Sequence, residues 1–310
     1  MLSRRQLVGG AVVAAAFSFA QSIPALAWKD KYPELTFAAV PDENASGMTD
    51  RYGPLMAYMS KELGVPVKLR IAQDYAAVIE GQKAGQIHIA QYGPTSYARA
   101  HLVGAKVEPF GIMVNADGGK GYHAVLYVRK DSPFQKLEDL KGKNLGLVDP
   151  NSASGNNVPR FAMDKLGIEP EKYFSKVVYT GSHENAVIGL VQGTVDGAWN
   201  WWNDKDESNL HRMERKGIEV GGKKIKYDDF RIVFTSEKIV NSPLAYQSDM
   251  PEELKKSIRD AMFAFDKKDP VGFTKLTDGK SRIWEPTSHN EYEPVVELTK
   301  FVDRLRRQKQ

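Results

Sequence analysis

Hydrophobic and polar positions follow two periods along the chain, and the period changes often. Leu35-Thr36-Phe37-Ala38-Ala39-Val40 is a short apolar run ended by Pro41, as a buried strand would be. Residues 53–63 switch to helical spacing, with Leu55, Met56, Met59 and Leu63 on one side and Gly64 as the stop. Val67, Leu69 and Ile71 then alternate as a strand; 75–83 is helical, 87–92 is a strand, and Gly93-Pro94-Thr95-Ser96 opens another helix. A strand over 107–114 completes a βαβαβ order, which predicts a mostly parallel sheet with helices on both faces.

A second series repeats the alternation. Strands are expected at 124–129, 144–148, 176–179 and 195–201, with a helical turn at 137–140 and helices at 157–166 and 183–191. A helix over about 205–215 follows, with Asp204 as its N-cap and 204–207 as its solvated start, then strands within 231–239. An amphipathic helix at 251–265 begins at Pro251 with Glu252 and Glu253 in its first turn, and a last helix covers about 291–306. Two α/β units with a C-terminal helical part imply two lobes. Clefts at the carboxyl ends of strands are where such folds take ligands.

The chain has 310 residues, 42% of them hydrophobic, enough for more than one core. Its formal charge of +4 is small, and no basic run interleaves with aromatics, which argues against nucleic-acid binding. There is no cysteine, so disulfides, thiolate metal sites, thiol catalysis and a cysteine-linked lipid are excluded. The six histidines show no metal spacing, and neither a G-x-S-x-G elbow nor a phosphate loop of the nucleotide hydrolases is present. No metal or cofactor is expected.

Polar residues gather where strands end and helices begin. Tyr75 follows Ala72-Gln73-Asp74, Tyr122 follows a glycine-rich turn, and His183 opens a helix after Thr180 and Ser182. Asp149-Pro150-Asn151-Ser152-Ala153-Ser154-Gly155 joins a strand to a helix. The first N–H groups of a helix have no partner within it, and small residues let a tetrahedral anion approach them. Ser152 and Ser154 add hydroxyls; read alone, the same turn could be an ordinary cap. In Trp199-Asn200-Trp201-Trp202-Asn203, alternation puts Trp199, Trp201 and Asn203 on one face, with Trp199 read as core.

With these residues in view, the chain resembles the periplasmic phosphonate-binding proteins of ABC transporters. The resemblance rests on Asp74-Tyr75-Ala76, Gln91-Tyr92-Gly93, Gly121-Tyr122, Lys130-Asp131-Ser132-Pro133, the serine turn, His183-Glu184 and Val195-Asp196, in that order and spacing. It implies a two-lobed periplasmic binding protein fold of type II, mixed and mostly parallel in its sheets, hinged, and non-enzymatic. Lobe I would comprise 28–122 and 240–310 with the C-terminal helices, and lobe II 123–239. The implied partners are a small phosphonate and a membrane permease.

The resemblance also assigns roles by position. Ser152, Ala153 (through its backbone) and Ser154, with Tyr75, Tyr122 and His183, would surround the phosphonate oxygens. Asn203 and Ser242 stand where members that bind 2-aminoethylphosphonate carry carboxylates. That departure points to an alkyl tail, or a methylated ammonium on Trp201, unless Asp42, Glu43 or Asp204 restores a charge. Inorganic phosphate or phosphite is an alternative ligand. A phosphate-ester hydrolase or a sensor domain is a reading from another class.

Ser3-Arg4-Arg5-Gln6-Leu7-Val8, an Ala-rich apolar stretch to Ala20 and Ala25-Leu26-Ala27 have the plan of a bacterial export signal. The arginine pair resembles the twin-arginine signal, and a general secretory signal fits the same residues. The apolar stretch is too short and broken to be a membrane anchor, and no later run could span a bilayer, so the mature protein is expected free in the periplasm. Cleavage after Ala27 removes Arg4 and Arg5 and no acid, which takes 43 basic residues to 41 against 39 acidic ones. N-terminal sequencing of the exported protein should therefore begin at Trp28; any other start refutes the cleavage site.

Overall fold

Strand alternation sorts side chains onto the two faces of two sheets. In Leu35–Ala39, Leu35, Phe37 and Ala39 join one apolar cluster and Ala38 another. In Gly121–Arg129, Ala124, Leu126 and Val128 join a third cluster, and Val125 and Tyr127 a fourth. Each sheet is thus covered on both faces, as the long apolar runs require. The computed structural model describes residues 28–308; the predicted export segment, 1–27, lies outside them. Among the described residues no helix is long and apolar enough to cross a membrane.

The first sheet runs Ser281–Pro286, Val107–Asn115, Pro243–Gln247, Ile89–Gln91, Leu35–Ala39, Val67–Arg70. The second runs Phe230–Val240, Gly121–Arg129, Gly197–Asp204, Asn144–Leu147, Lys176–Tyr179, with Glu207–Ser208 paired to Gly197–Asp204. Leu35–Ala39 is parallel to both its neighbours, and Asn144–Leu147 to both of its own. Antiparallel pairs join the remaining strands, so both sheets are mixed and not mostly parallel as the βαβ order predicts: the late strands at 230–240, 243–247 and 281–286 all add antiparallel. The strand at 107–115 does not lie beside 89–91: Pro243–Gln247 is inserted between them, antiparallel to both. That strand and Ser281–Pro286 escape a local reading. Each is short, and its partner is more than a hundred residues away.

Helices form largely where the periodicity places them. Asn44 Oδ1 accepts from Gly47 N (2.9 Å) and starts Ala45–Leu63, longer than the spacing predicted, while Gly64 closes it at φ 65°. Glu252–Lys268 buries Leu254, Ile258, Met262 and Phe265. Pro270–Thr277, not evident in the sequence, is capped by Asp269. The final helix, Glu293–Arg307, pairs Arg99 with Asp303 at 2.6 Å beside the first sheet and sets Phe301 against Phe161 beside the second.

A second expectation is overturned at Asp204. Asp204 is the last residue of a strand and not a helix cap, and 204–207 is not a solvated helix start. The chain turns back at 205–206, so that Glu207 pairs with Asp204 and Ser208 with Trp202. Ser208 caps the following helix, Asn209–Arg215, and the turn carries Glu207 into the interior.

The chain crosses between sheets twice, after Asn115 and after Val240. The crossings are tied together: Asn241 Nδ2 donates to Met113 O (2.7 Å) and Asn115 Oδ1 (2.8 Å), Asn115 Nδ2 donates to Gly121 O (2.8 Å), and Asn241 N donates to Lys120 O (2.9 Å). A Cβ at Gly121 would sit 2.8 Å from Ile239 O. Gly121→Ala should therefore cost about 1–3 kcal/mol of stability in urea unfolding; an unchanged midpoint would mean that the crossings have slack.

Candidate functional site

The serine turn is held from within and from behind. Ser152 Oγ accepts from Gly155 N (3.0 Å), Val148 N donates to Gly155 O (2.9 Å), and Asp149 Oδ1 accepts from Asn151 N (2.7 Å). A Cβ on Gly155 would meet Val148 Cβ at 2.3 Å, so only glycine fits. Residues Ala153–Asn157 form one wide π-helical turn that continues as Val158–Lys165. Asn157 Nδ2 donates to Pro150 O (3.1 Å) and Ser152 O (3.0 Å), and Thr95 Oγ1, from the first lobe, donates to Asn151 O (2.7 Å). The helix start that offers free N–H groups is thus pinned from within the turn and from the helix at Pro94–Leu102.

A cavity of about 160 Å³ lies against this turn. It is lined by all nine residues singled out in the sequence: Tyr75, Tyr122, Ser152, Ala153, Ser154, His183, Trp201, Asn203 and Ser242. One water needs roughly 10–15 Å³, so the space takes a small molecule. At the turn end, the Tyr75 and Tyr122 hydroxyls hydrogen-bond Ser152 and Ser154, and burial raises both phenols, which stay neutral donors. His183 begins a ten-residue helix capped by Ser182, and its Nε2 is 3.4 Å from Ser152 Oγ. Burial, with the Arg212 charge, lowers the imidazole to about 4 against the opposing pull of Asp42. No carboxylate orients that imidazole, because Nδ1 faces the Asn200 amide at 3.0 Å.

The far end is built from charges of both lobes. Asp42 Oδ1 accepts from Arg51 (2.6 Å) and Oδ2 from Arg212 (2.9 Å). Burial alone would raise its carboxyl, but Arg51 and Arg212 outweigh burial and hold it below the usual range. Arg212 also reaches Asp278 (3.3 Å) and lies 4.9 Å over the Trp201 ring. Glu43 is buried between Arg51 and Lys216 and does not line the cavity. Asp204 turns away to accept from Asp206 N (2.7 Å). Of the three carboxylates considered in the sequence, Asp42 alone faces the cavity, and it is committed to two arginines. The cation resting on Trp201 is the protein's own.

The cavity wall also holds Arg51, Glu207 and Arg212, which the sequence reading did not select. Glu207 bonds Asn203, and burial raises its carboxyl despite the Asn203 and Arg212 contributions. Its only sequence signal is the Glu207-Ser208 step before a helix, which reads as surface. Trp199 is fully buried, as core. Among the described residues no three His, Cys, Asp or Glu side chains are arranged to hold a metal ion.

Residues 37–296 match a family model described as the ABC transporter, phosphonate, periplasmic substrate-binding protein. The phosphate-import protein PhnD of Mycolicibacterium smegmatis is 28% identical over 244 residues, 76% of this chain and 73% of that one. The phosphonates-binding periplasmic protein of Escherichia coli is 30% identical over 237 residues, 75% of this chain and 66% of that one. A binding protein component of an ABC phosphonate transporter from Pseudomonas aeruginosa superposes with TM-score 0.76 at 27% identity, covering 88% of this chain and 87% of that one.

The Asp42–Arg212 pair gives a pH-dependent expectation. Arg212→Ala should cost about 1–3 kcal/mol near neutral pH, because one partner of a largely buried carboxylate is lost. Asp42 ionises more readily folded than unfolded. Its contribution is therefore present above the ordinary carboxylate pKa of about 4 and is lost as pH falls through the lower folded value. The gap between wild type and variant in urea unfolding should close on acidification; a gap that persists there would place the cost elsewhere.

Proposed function

This chain belongs to the periplasmic phosphonate-binding proteins of ABC transporters, and we propose that it captures a small phosphonate in the cavity beside the serine turn and delivers it to a permease. The observation that carries the proposal is the convergence of the nine residues on one cavity with pinned anion donors at one end. Ser152, Ala153, Ser154, Tyr75, Tyr122 and His183 take the oxygens. Trp201, Asn203 and Ser242, with Arg212, Asp42 and Glu207 nearby, take the tail. No reaction is catalysed: the ligand bridges two lobes, 28–122 with 240–310 and 123–239, and favours their closed arrangement, which the permease distinguishes. The export signal takes the chain to the periplasm by the twin-arginine or the general route, and cleavage after Ala27 releases it there.

The far end argues for a small or uncharged tail. Arg51 and Arg212 already neutralise Asp42 there, and Glu207 is raised and bonded to Asn203. A primary ammonium would have to take Asp42 from its arginines or Glu207 from Asn203. Inorganic phosphate is the second reading, favoured by the similarity to the mycobacterial phosphate-import protein.

Calorimetric titration with methylphosphonate, 2-aminoethylphosphonate, its N-methylated forms, phosphite and phosphate tests both. At least one phosphorus oxyanion should bind well below millimolar, with methylphosphonate ahead of 2-aminoethylphosphonate; no binding by any would sink the assignment. Ser152→Ala and Ser154→Ala should each weaken binding by about 1.5–3 kcal/mol, the range of a hydrogen bond to a charged group. Unchanged affinity would move the oxyanion elsewhere.

A further inference from the structure

Asn200 is fully buried behind His183, and its amide can point only one way. Its Oδ1 accepts from Trp201 N (2.9 Å), and its Nδ2 donates to His183 O (2.9 Å). A backbone N–H can only donate and a carbonyl can only accept, so the two backbone contacts fix which amide atom is oxygen. Asn209 Nδ2 donates to the same carbonyl at 3.0 Å and holds this arrangement from the next helix. The Oδ1 of Asn200 then faces His183 Nδ1 at 3.0 Å, and that nitrogen must carry a hydrogen. A neutral imidazole protonated at Nδ1 presents a lone pair at Nε2. Nε2 is the atom beside Ser152 Oγ, on the cavity side.

The surroundings keep the ring neutral. Asp42 faces it from the loop after the first strand, but Arg51 and Arg212 neutralise that carboxylate. Arg212 faces it from the Asn209–Arg215 helix. Glu184, on the same helix as His183, is turned to Asn44 N and Nδ2 at 3.3 and 3.0 Å. The Tyr75 phenol is neutral and bonded to Ser152.

We infer that Asn200, by fixing the tautomer of His183, makes the site selective for an oxyanion that carries one ionisable proton. This rests on the cavity being the phosphonate site. A monoanionic phosphonate donates its P–O–H to Nε2, while its two remaining oxygens accept from the serine turn and the tyrosines. A dianionic phosphonate binds with uptake of one proton from solvent, which ends between a phosphonate oxygen and Nε2. In both cases the complex holds one proton at that contact. A sulfonate has three aprotic oxygens and meets the Nε2 lone pair with one of its own. It binds only after the imidazole itself is protonated.

Titration calorimetry with methylphosphonate and methanesulfonate, across pH and in buffers of different ionisation enthalpy, tests this. Methylphosphonate affinity should be flat below the second pKa of the free ligand. Above it, affinity should fall tenfold per pH unit, with one proton taken up per ligand bound. Methanesulfonate should bind on the order of a hundredfold more weakly at neutral pH and gain as pH falls. Asn200→Asp offers a carboxylate to Nδ1–H and charges the imidazole, and His183→Gln offers an amide N–H in its place. Each should narrow the phosphonate-to-sulfonate ratio, and His183→Gln should also abolish the proton uptake. Equal binding of the two ligands by the wild type, or methylphosphonate binding without proton uptake above its second pKa, would overturn the inference while leaving the phosphonate site in place. Failure of every phosphorus oxyanion to bind at any pH would overturn the functional reading and this inference with it.

Discussion

The carboxylate of Asp42 sits between two guanidinium groups, Arg51 on its own side of the cavity and Arg212 on the other. Much of the interior depends on that sharing. Taking a carboxylate and two arginines out of water is costly, and the cost is offset only when each is paired with good geometry. Here Arg51 has Glu43 as well, and Arg212 has Asp278 and the face of Trp201. The loop after the first strand, the end of the Pro270–Thr277 helix and the Asn209–Arg215 helix are thereby drawn to one point. That point is the far wall of the cavity.

The two ends of the cavity are made differently. The end at the serine turn has a local framework, one strand, one wide helical turn and a glycine that nothing can replace, pinned by Thr95 and Asn157, with Tyr75, Tyr122 and His183 closing on it. It has the same shape whatever the ligand carries beyond its oxyanion. The far end is assembled from distant segments whose side chains are partners of one another before they are partners of a ligand. A tail therefore competes with existing ion pairs, and small neutral groups compete at least cost. The histidine between the ends belongs to both, since its ring is set by Asn200 behind it and faces Ser152 in front.

What could be read from the sequence follows the same division. The serine turn, Tyr75 and His183 were legible because each stands at a strand-to-helix junction, and Tyr122 because it opens a strand after a glycine-rich turn; there local pattern and turn chemistry determine position. Glu207 was not. Its place depends on a reversal at 205–206 that pairs it with Asp204, and a charged residue before a helix otherwise reads as solvated. Arg51 and Arg212 carry no local mark of burial, because what buries them is each other's partners from segments far apart in the chain. The Pro243–Gln247 strand failed for a related reason: five residues make too short a pattern, and their partners at 89–91 and 107–115 were formed much earlier in the chain. Helices with a wide apolar stripe, such as Glu252–Lys268, were found within a few residues because their burial is written in their own spacing.

The paired crossings after Asn115 and Val240 bear on what a ligand can accomplish. Because Asn241 and Asn115 fasten the two segments to each other, the lobes cannot slide past one another without breaking buried hydrogen bonds. Rotation about the line of the crossings is the motion left open. Under the proposed function, occupancy of the cavity is converted into a single angle. A membrane partner that gauges this angle needs no contact with the ligand, and one partner surface could serve any molecule that sets the same angle.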